Sequence, residues 1–210
     1  MSFDKTNAEP KISVADFIEN APAELDVEVL AGAKGLRQKY ILSSRIQKLG
    51  LALSGFSQYI HAGRIQIVGQ NEISYLLQLE SERRIEALSN LDLEKISCIL
   101  ITKNFEPPPE LKIIAEKNSL PVLRTRQVSS KTISLVSNHL LEALAPQTVL
   151  HGVLMEMYGL GVLILGDSGI GKSECALDLI ARGHRLISDD SIILKKNRRL
   201  FKGFFARFDS

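Results

Sequence analysis

The chain has 210 residues, 45% of them apolar and 24% charged, with a formal net charge of +2. That length holds one large or two small domains with proper cores, and the composition is that of an ordinary globular protein. The small charge speaks against nucleic acid or an anionic membrane surface as a partner, and no apolar run reaches the ~18 residues of a membrane span.

The first ten residues, MSFDKTNAEP, lack the apolar stretch of a signal peptide, so the expected compartment is the cytoplasm. Residues 13–20 (SVADFIEN) open on a capping serine and place Val14, Phe17 and Ile18 on one helical face. Residues 27–31 and 64–68 (RIQIV) are strand candidates, and Asn71 is positioned to cap a helix carrying Ile73, Leu76 and Leu77. Helix continues over 81–91. The run 96–102 (ISCILIT) is apolar on both faces, as a buried central strand should be. Pro107, Pro108 and Pro109 forbid helix and ladder, yet Pro109 suits the first position of a helix over 110–118. A strand over 121–123 and a longer helix over 129–144 complete an alternating pattern, which implies a three-layer α/β domain over residues 1–145. No phosphate loop, metal cluster or nucleophile–base spacing appears in it, so docking, oligomerisation or regulation is its default role. Cys98 and Cys175 lie in apolar runs and read as buried small hydrophobes rather than a disulfide or metal pair.

Residues 146–210 form the second expected domain. His151 leads an alternating strand over 152–158, residues 158–161 read as a hairpin turn, and 162–165 as its second strand. Then Gly166, Asp167, Ser168, Gly169, Ile170, Gly171, Lys172 and Ser173 match G-x-x-x-x-G-K-[ST] at every fixed position. Glycines at 166, 169 and 171 let the backbone take positive φ and turn its N–H groups inward. Lys172 offers an ammonium to the β- and γ-phosphates, and Ser173 a hydroxyl to magnesium. A helix from Ser173, with Ala176, Leu177 and Ile180 toward the sheet, aims its positive end at the same anion. Gly183 ends it. Mononucleotide binding is the strong expectation, but GTPases, motor ATPases and kinases all use such a loop.

Asp189 and Asp190 follow the short run 185–188, with another strand expected over 192–194. A helix of about ten residues travels ~15 Å, and a returning strand brings the carboxylates back to the loop's edge of the sheet. There one carboxylate can take a proton from an attacking hydroxyl and the other can hold magnesium through water. A pair of turn aspartates remains the plainer alternative, and a lone His151 is by itself more often structural. The tail 195–208 carries six basic and four aromatic residues. It reads as a hairpin turn over 195–199 followed by core side chains, rather than a single-strand or membrane surface.

These residues together resemble HPr kinase/phosphorylase, the bacterial enzyme family that phosphorylates a serine of the phosphocarrier protein HPr. The resemblance rests on HGVL at 151–154, YGLGVLI at 158–164, GDSGIGKS at 166–173, LIARGHRL at 179–186 and the Asp pair. In the first domain it rests on LALSGF at 51–56, RIQIVG at 64–69, EPPPEL at 106–111 and PVLR at 121–124. It implies a three-layer α/β domain followed by the start of a P-loop kinase domain. It also implies ATP and Mg²⁺ as cofactors, with Gly166 to Ser173 holding ATP and Ser173 ligating magnesium. His151, Lys172 and Asp190 take the catalytic positions, with Asp190 taking the serine proton or returning it in the reverse reaction. That reverse reaction consumes inorganic phosphate and releases pyrophosphate. A homohexamer and bacterial carbon-source regulation are implied as well. Family members continue past Ser210 with a second metal-binding glutamate, an arginine and a C-terminal helix, so the chain by itself is expected to be inactive or nearly so. The alternatives are a non-catalytic nucleotide-binding regulator and a P-loop GTPase or ATPase switch.

Overall fold

The computed structural model describes residues 10–195 and the strand Phe205–Ala206. Contacts divide the chain after Leu144 into two units. The first begins with β1 (Ile12–Ser13) and α1 (Val14–Glu19). Ser13 caps this helix reciprocally: its Oγ accepts from the Asp16 amide at 3.0 Å, and its own amide donates to Asp16 Oδ2 at 3.3 Å. Then follow β2 (Glu28–Ala31), β3 (Tyr40–Ile41), β4 (Gln47–Lys48), α2 (Gly50–Leu53), β5 (Arg64–Val68), α3 (Gln70–Gln78) and α4 (Ser81–Ser89). The unit closes with β6 (Ile96–Ile101), α5 (Pro109–Lys117), β7 (Val122–Arg124) and α6 (Ser129–Ala143).

The main sheet has the order β2-β7-β6-β5-β4, with β4 to β7 parallel and β2 antiparallel at the edge. Every residue of β6 is buried. Its alternation feeds two cores: Ile99 and Ile101 meet α2, α3, α4 and α5, while Cys98 and Leu100 meet α1 and α6. A central strand covered on both faces cannot afford a polar side, which is why ISCILIT is apolar throughout. The layers are therefore helix, sheet, helix, as the alternation implied. Pro109 is the first residue of α5, as its fixed φ favours. Asn71 does not cap α3. Gly69 does, and its amide donates back to Glu72 Oε2 in the first turn at 2.9 Å.

The second unit contains β8 (Gln147–Met157), β9 (Leu160–Ile164), α7 (Lys172–Ala181), β10 (Arg185–Lys195) and β11 (Phe205–Ala206), in the sheet order β11-β10-β8-β9. Tyr158 and Gly159 both take positive φ (53° and 78°), the two-residue turn whose twist suits a hairpin. The turn is thus tighter than expected, and Leu160 and Gly161 belong to β9. Because β9 and β10 each pair antiparallel with β8, they run parallel to one another and α7 is the crossover between them. Val153 and Met155 form a small core with Ala176, joined by Ile164 and Leu179. Leu177 and Ile180, expected to face the sheet, are exposed instead: at ~100° per residue they lie further round the helix from Leu179 than Ala176 does, on the side turned from the sheet. Cys98 is buried as expected and burial pushes its thiol up, whereas Cys175 is exposed. The expected turn over 195–199 lies outside the described residues apart from Lys195. No helix among the described residues is long and apolar enough to cross a membrane.

Candidate functional site

The site starts from β9. Its apolar run ends at Ile164, and the next residues turn sharply into α7. Gly169 and Gly171 have φ of 81° and 94°, a region where a Cβ is penalised, and Gly171 is the residue on which α7 begins. Gly166, expected to need the same freedom, does not have positive φ. A Cβ there would instead stand 2.9 Å from Ile170 Cγ2, so its glycine is set by packing of the loop against itself.

Lys172 is the first residue of α7, and its Nζ donates to the carbonyls of Gly166 (2.9 Å) and Asp167 (2.8 Å). The ammonium therefore lies across the mouth of the loop. Ser173 follows with an exposed hydroxyl. Within the loop the Ile170 amide donates to the Asp167 carbonyl, and the Cys175 amide starts the helical ladder on Gly171. The amides of Ser168, Gly169, Gly171, Lys172 and Ser173 donate to no protein acceptor among the described residues. A nest of free amides at the positive end of a ten-residue helix, with one lysine above it, fits the oxygens of a polyphosphate. The Ser173 hydroxyl suits a hard, oxygen-seeking cation such as Mg²⁺.

β8 and β9 pair as far as Val153 with Ile164, and His151 lies two residues past that pair along β8, on the side where β9 gives way to the loop. On the other side of β8, Asp189 pairs with Val153, Asp190 with Gly152, and Ser191 with His151. The two aspartates are not at a turn between two strands, as expected. They lie inside one eleven-residue strand, β10, which is irregular between Leu186 and Ser188. The polar Ser-Asp-Asp-Ser stretch hid this continuity, because it sits where β10 passes the edge of the apolar core.

Simple alternation would put Asp189 on the α7 face with Val153, and Asp190 on the other face with Gly152. Asp190, however, has φ of 84°, which breaks the alternation. Its Oδ1 lies 3.9 Å from His151 Nδ1. Both side chains are largely exposed, at 89% and 78%, and the separation exceeds a hydrogen bond, so this is an ion pair only when His151 is protonated. Fold and register thus bring His151 and Asp190 together at the root of the loop that carries Lys172. The other three histidines are elsewhere: the His61 amide donates to Gln47 Oε1 and His139 packs against Phe17, both in the first unit, and His184 meets the ring of Tyr158 near the hairpin turn. Gly152 went unremarked in the sequence. Its signal was there, since a glycine inside an apolar strand often marks a close backbone approach.

Comparison with known proteins gives matches to two family models. One, described as HPr Serine kinase N terminus, covers residues 12–140, and the other, HPr Serine kinase C-terminal domain, covers residues 142–204. The HPr kinase/phosphorylase of Geobacter sulfurreducens is 46% identical over 185 residues, which is 88% of this chain and 58% of that protein. That of Bacillus cereus (strain B4264) is 38% identical over 187 residues, 89% of this chain and 59% of the relative. The chain therefore spans less than two thirds of the length of these curated relatives. A solved structure of the CBS and DRTGG domains of the regulatory region of Clostridium perfringens pyrophosphatase aligns with a TM-score of 0.42 and 18% identity. That alignment covers 60% of this chain and 48% of the other, and it is too loose to argue from.

Proposed function

The chain belongs to the HPr serine kinase family, and on that premise we propose that it carries part of the site of an enzyme that transfers the γ-phosphoryl group of ATP to a serine of HPr. The same site would run the opposite reaction, in which inorganic phosphate takes the phosphoryl group from phosphoserine to give serine and pyrophosphate. The observation that carries this reading is the convergence at one sheet edge of a phosphate loop with free amides, the Lys172 ammonium and the His151–Asp190 pair.

Residues 166–173 would hold the ATP phosphates, and Ser173 would ligate the Mg²⁺ that neutralises charge on them. ATP supplies the phosphoryl group. Asp190 accepts the proton from the attacking serine hydroxyl, and in the reverse direction returns it to the departing serine oxygen. Lys172 leaves the Gly166 and Asp167 carbonyls to meet phosphate oxygens, exchanging neutral acceptors for charged ones. His151, 3.9 Å from Asp190, would take a catalytic position beside it. Asp189, one residue away, is a candidate to hold the metal through water. Residues 1–145 would serve docking, oligomerisation or regulation within a cytoplasmic homohexamer that acts in carbon-source control.

The test is to incubate this chain, and a version extended to the relatives' full length, with Mg·ATP and HPr. Serine phosphate on HPr in the extended protein, lost with Lys172→Ala or Asp190→Asn, is the expected result. Nucleotide uptake without transfer, even at full length, would point to a regulator. Hydrolysis without transfer would point to a switch.

A further inference from the structure

Gly152 is the residue of β8 that lies between β9 and Asp190. A Cβ built there would stand 2.6 Å from the carbonyl oxygen of Ile164 and 2.9 Å from Leu165 Cδ2. Carbon–oxygen contacts between strands settle at ~3.3–3.6 Å, so the Ile164 carbonyl would have to retreat by about 0.7 Å or more. That carbonyl is backbone, and no rotamer change relieves it. Ile164 ends β9, and Gly166, whose carbonyl accepts from Lys172, is two residues on.

Among the described glycines of the second unit, Gly152 is alone in this respect. An added Cβ at Gly159, Gly169 or Gly183 meets nothing within 4 Å. At Gly161, Gly166 and Gly171 it meets only side chains. Gly152 itself does not have positive φ, so conformational freedom does not explain the glycine; the lack of room for a Cβ does.

We infer that Gly152 is a positioning residue for the phosphate loop: the missing side chain seats the end of β9 against β8 and so fixes where Gly166 and the Lys172 ammonium stand relative to His151 and Asp190. The inference rests on reading residues 166–173 as a polyphosphate site. It extends that reading to a residue that touches neither phosphate nor substrate. A displacement approaching 1 Å at the root of such a loop can cost up to 10²-fold in binding or rate.

The experiment compares Gly152→Ala with Gly183→Ala in the chain as it stands, by calorimetric titration with Mg·ATP and by thermal melting. Gly183 has φ of 92° at the far end of α7, ~15 Å along the helix from the loop, so alanine there strains the backbone without touching the site. Gly152→Ala should weaken Mg·ATP binding at least tenfold, while Gly183→Ala should melt earlier and bind as wild type does. A folded Gly152→Ala protein with wild-type affinity overturns the inference. So does an equal loss in both variants, which is the mark of general destabilisation. If Gly152→Ala does not fold unaided, the titrations are repeated in trimethylamine N-oxide, which favours the compact state, and the same criteria apply. Wild-type protein that takes up no Mg·ATP refutes the phosphate-site reading itself, and the inference falls with it.

Discussion

Replacing Glu110 by glutamine should destabilise the first unit by about 2–3 kcal/mol at neutral pH, and by less than half as much at pH 3. Arg84 of α4 joins three helices. Its Nε donates to the Leu76 carbonyl at 2.7 Å and its Nη2 to the Leu79 carbonyl at 2.8 Å, which satisfies the C-terminal end of α3. Its Nη1 reaches both oxygens of Glu110, in the first turn of α5, at 3.0 and 2.8 Å. Ser81 Oγ adds a donor to Glu110 Oε1 at 2.7 Å. The two charged side chains are only 13% and 12% exposed, so water screens them weakly. The Ser81 hydroxyl, with the Arg84 guanidinium, pulls the Glu110 carboxyl down from 4.5 to about 2. A tenfold change in proton affinity corresponds to ~1.4 kcal/mol, which caps the contribution at about 3 kcal/mol. Between those two values the unfolded chain binds more protons than the folded one. The stabilisation is therefore complete above pH 4.5 and disappears as pH falls toward 2. Urea unfolding followed by circular dichroism from pH 3 to 7, on wild type and Glu110→Gln, measures the difference directly. Lys95 lowers Asp92, and Lys112 with Arg124 lowers Glu106, but both carboxylates are present in both proteins and cancel from the difference. A difference that stays constant over the whole range would refute the assignment of this stability to the Glu110 charge.

Two further expectations concern the second unit and the cysteines. At position 190 the left-handed backbone favours glycine over a β-branched residue, so Asp190→Gly should be about 1–2 kcal/mol more stable than Asp190→Val. Equal melting of the two variants would mean that β10 is a regular strand there. Brief alkylation of the native protein should label Cys175 and leave Cys98 untouched until unfolding, since only the first is exposed. Mass spectrometry showing label on Cys98 in folded protein would contradict the two-sided burial of β6.

Elements governed by their own residues were legible in the chain. Ser13 and Asp16 announce α1, Pro109 starts α5, and the unbroken apolar run of β6 declares a strand covered on both faces. The turn from β9 into α7 was legible for the same reason: Gly169 and Gly171 act through backbone angles within a few residues of the helix they start. Periodicity misjudged α7, where Leu177 and Ile180 are exposed, because apolar residues on two faces do not say which face the sheet will take. It also divided β10 in two, since four polar residues resemble a loop until their antiparallel pairing with β8 is known.

By itself, then, the sequence determined the helix–sheet–helix layering of the first unit and the glycine-built turn from β9 into α7, because caps, alternation and glycine conformation are local properties. Only the tertiary structure decided that His151 lies on the side of β8 where β9 gives way to the loop, that Asp190 leaves the strand's alternation to approach it, and that a Cβ at Gly152 would meet the Ile164 carbonyl. Those facts arise from pairing between strands brought together by the fold, and the distance from Gly152 to the Ile164 carbonyl is a property of no single segment.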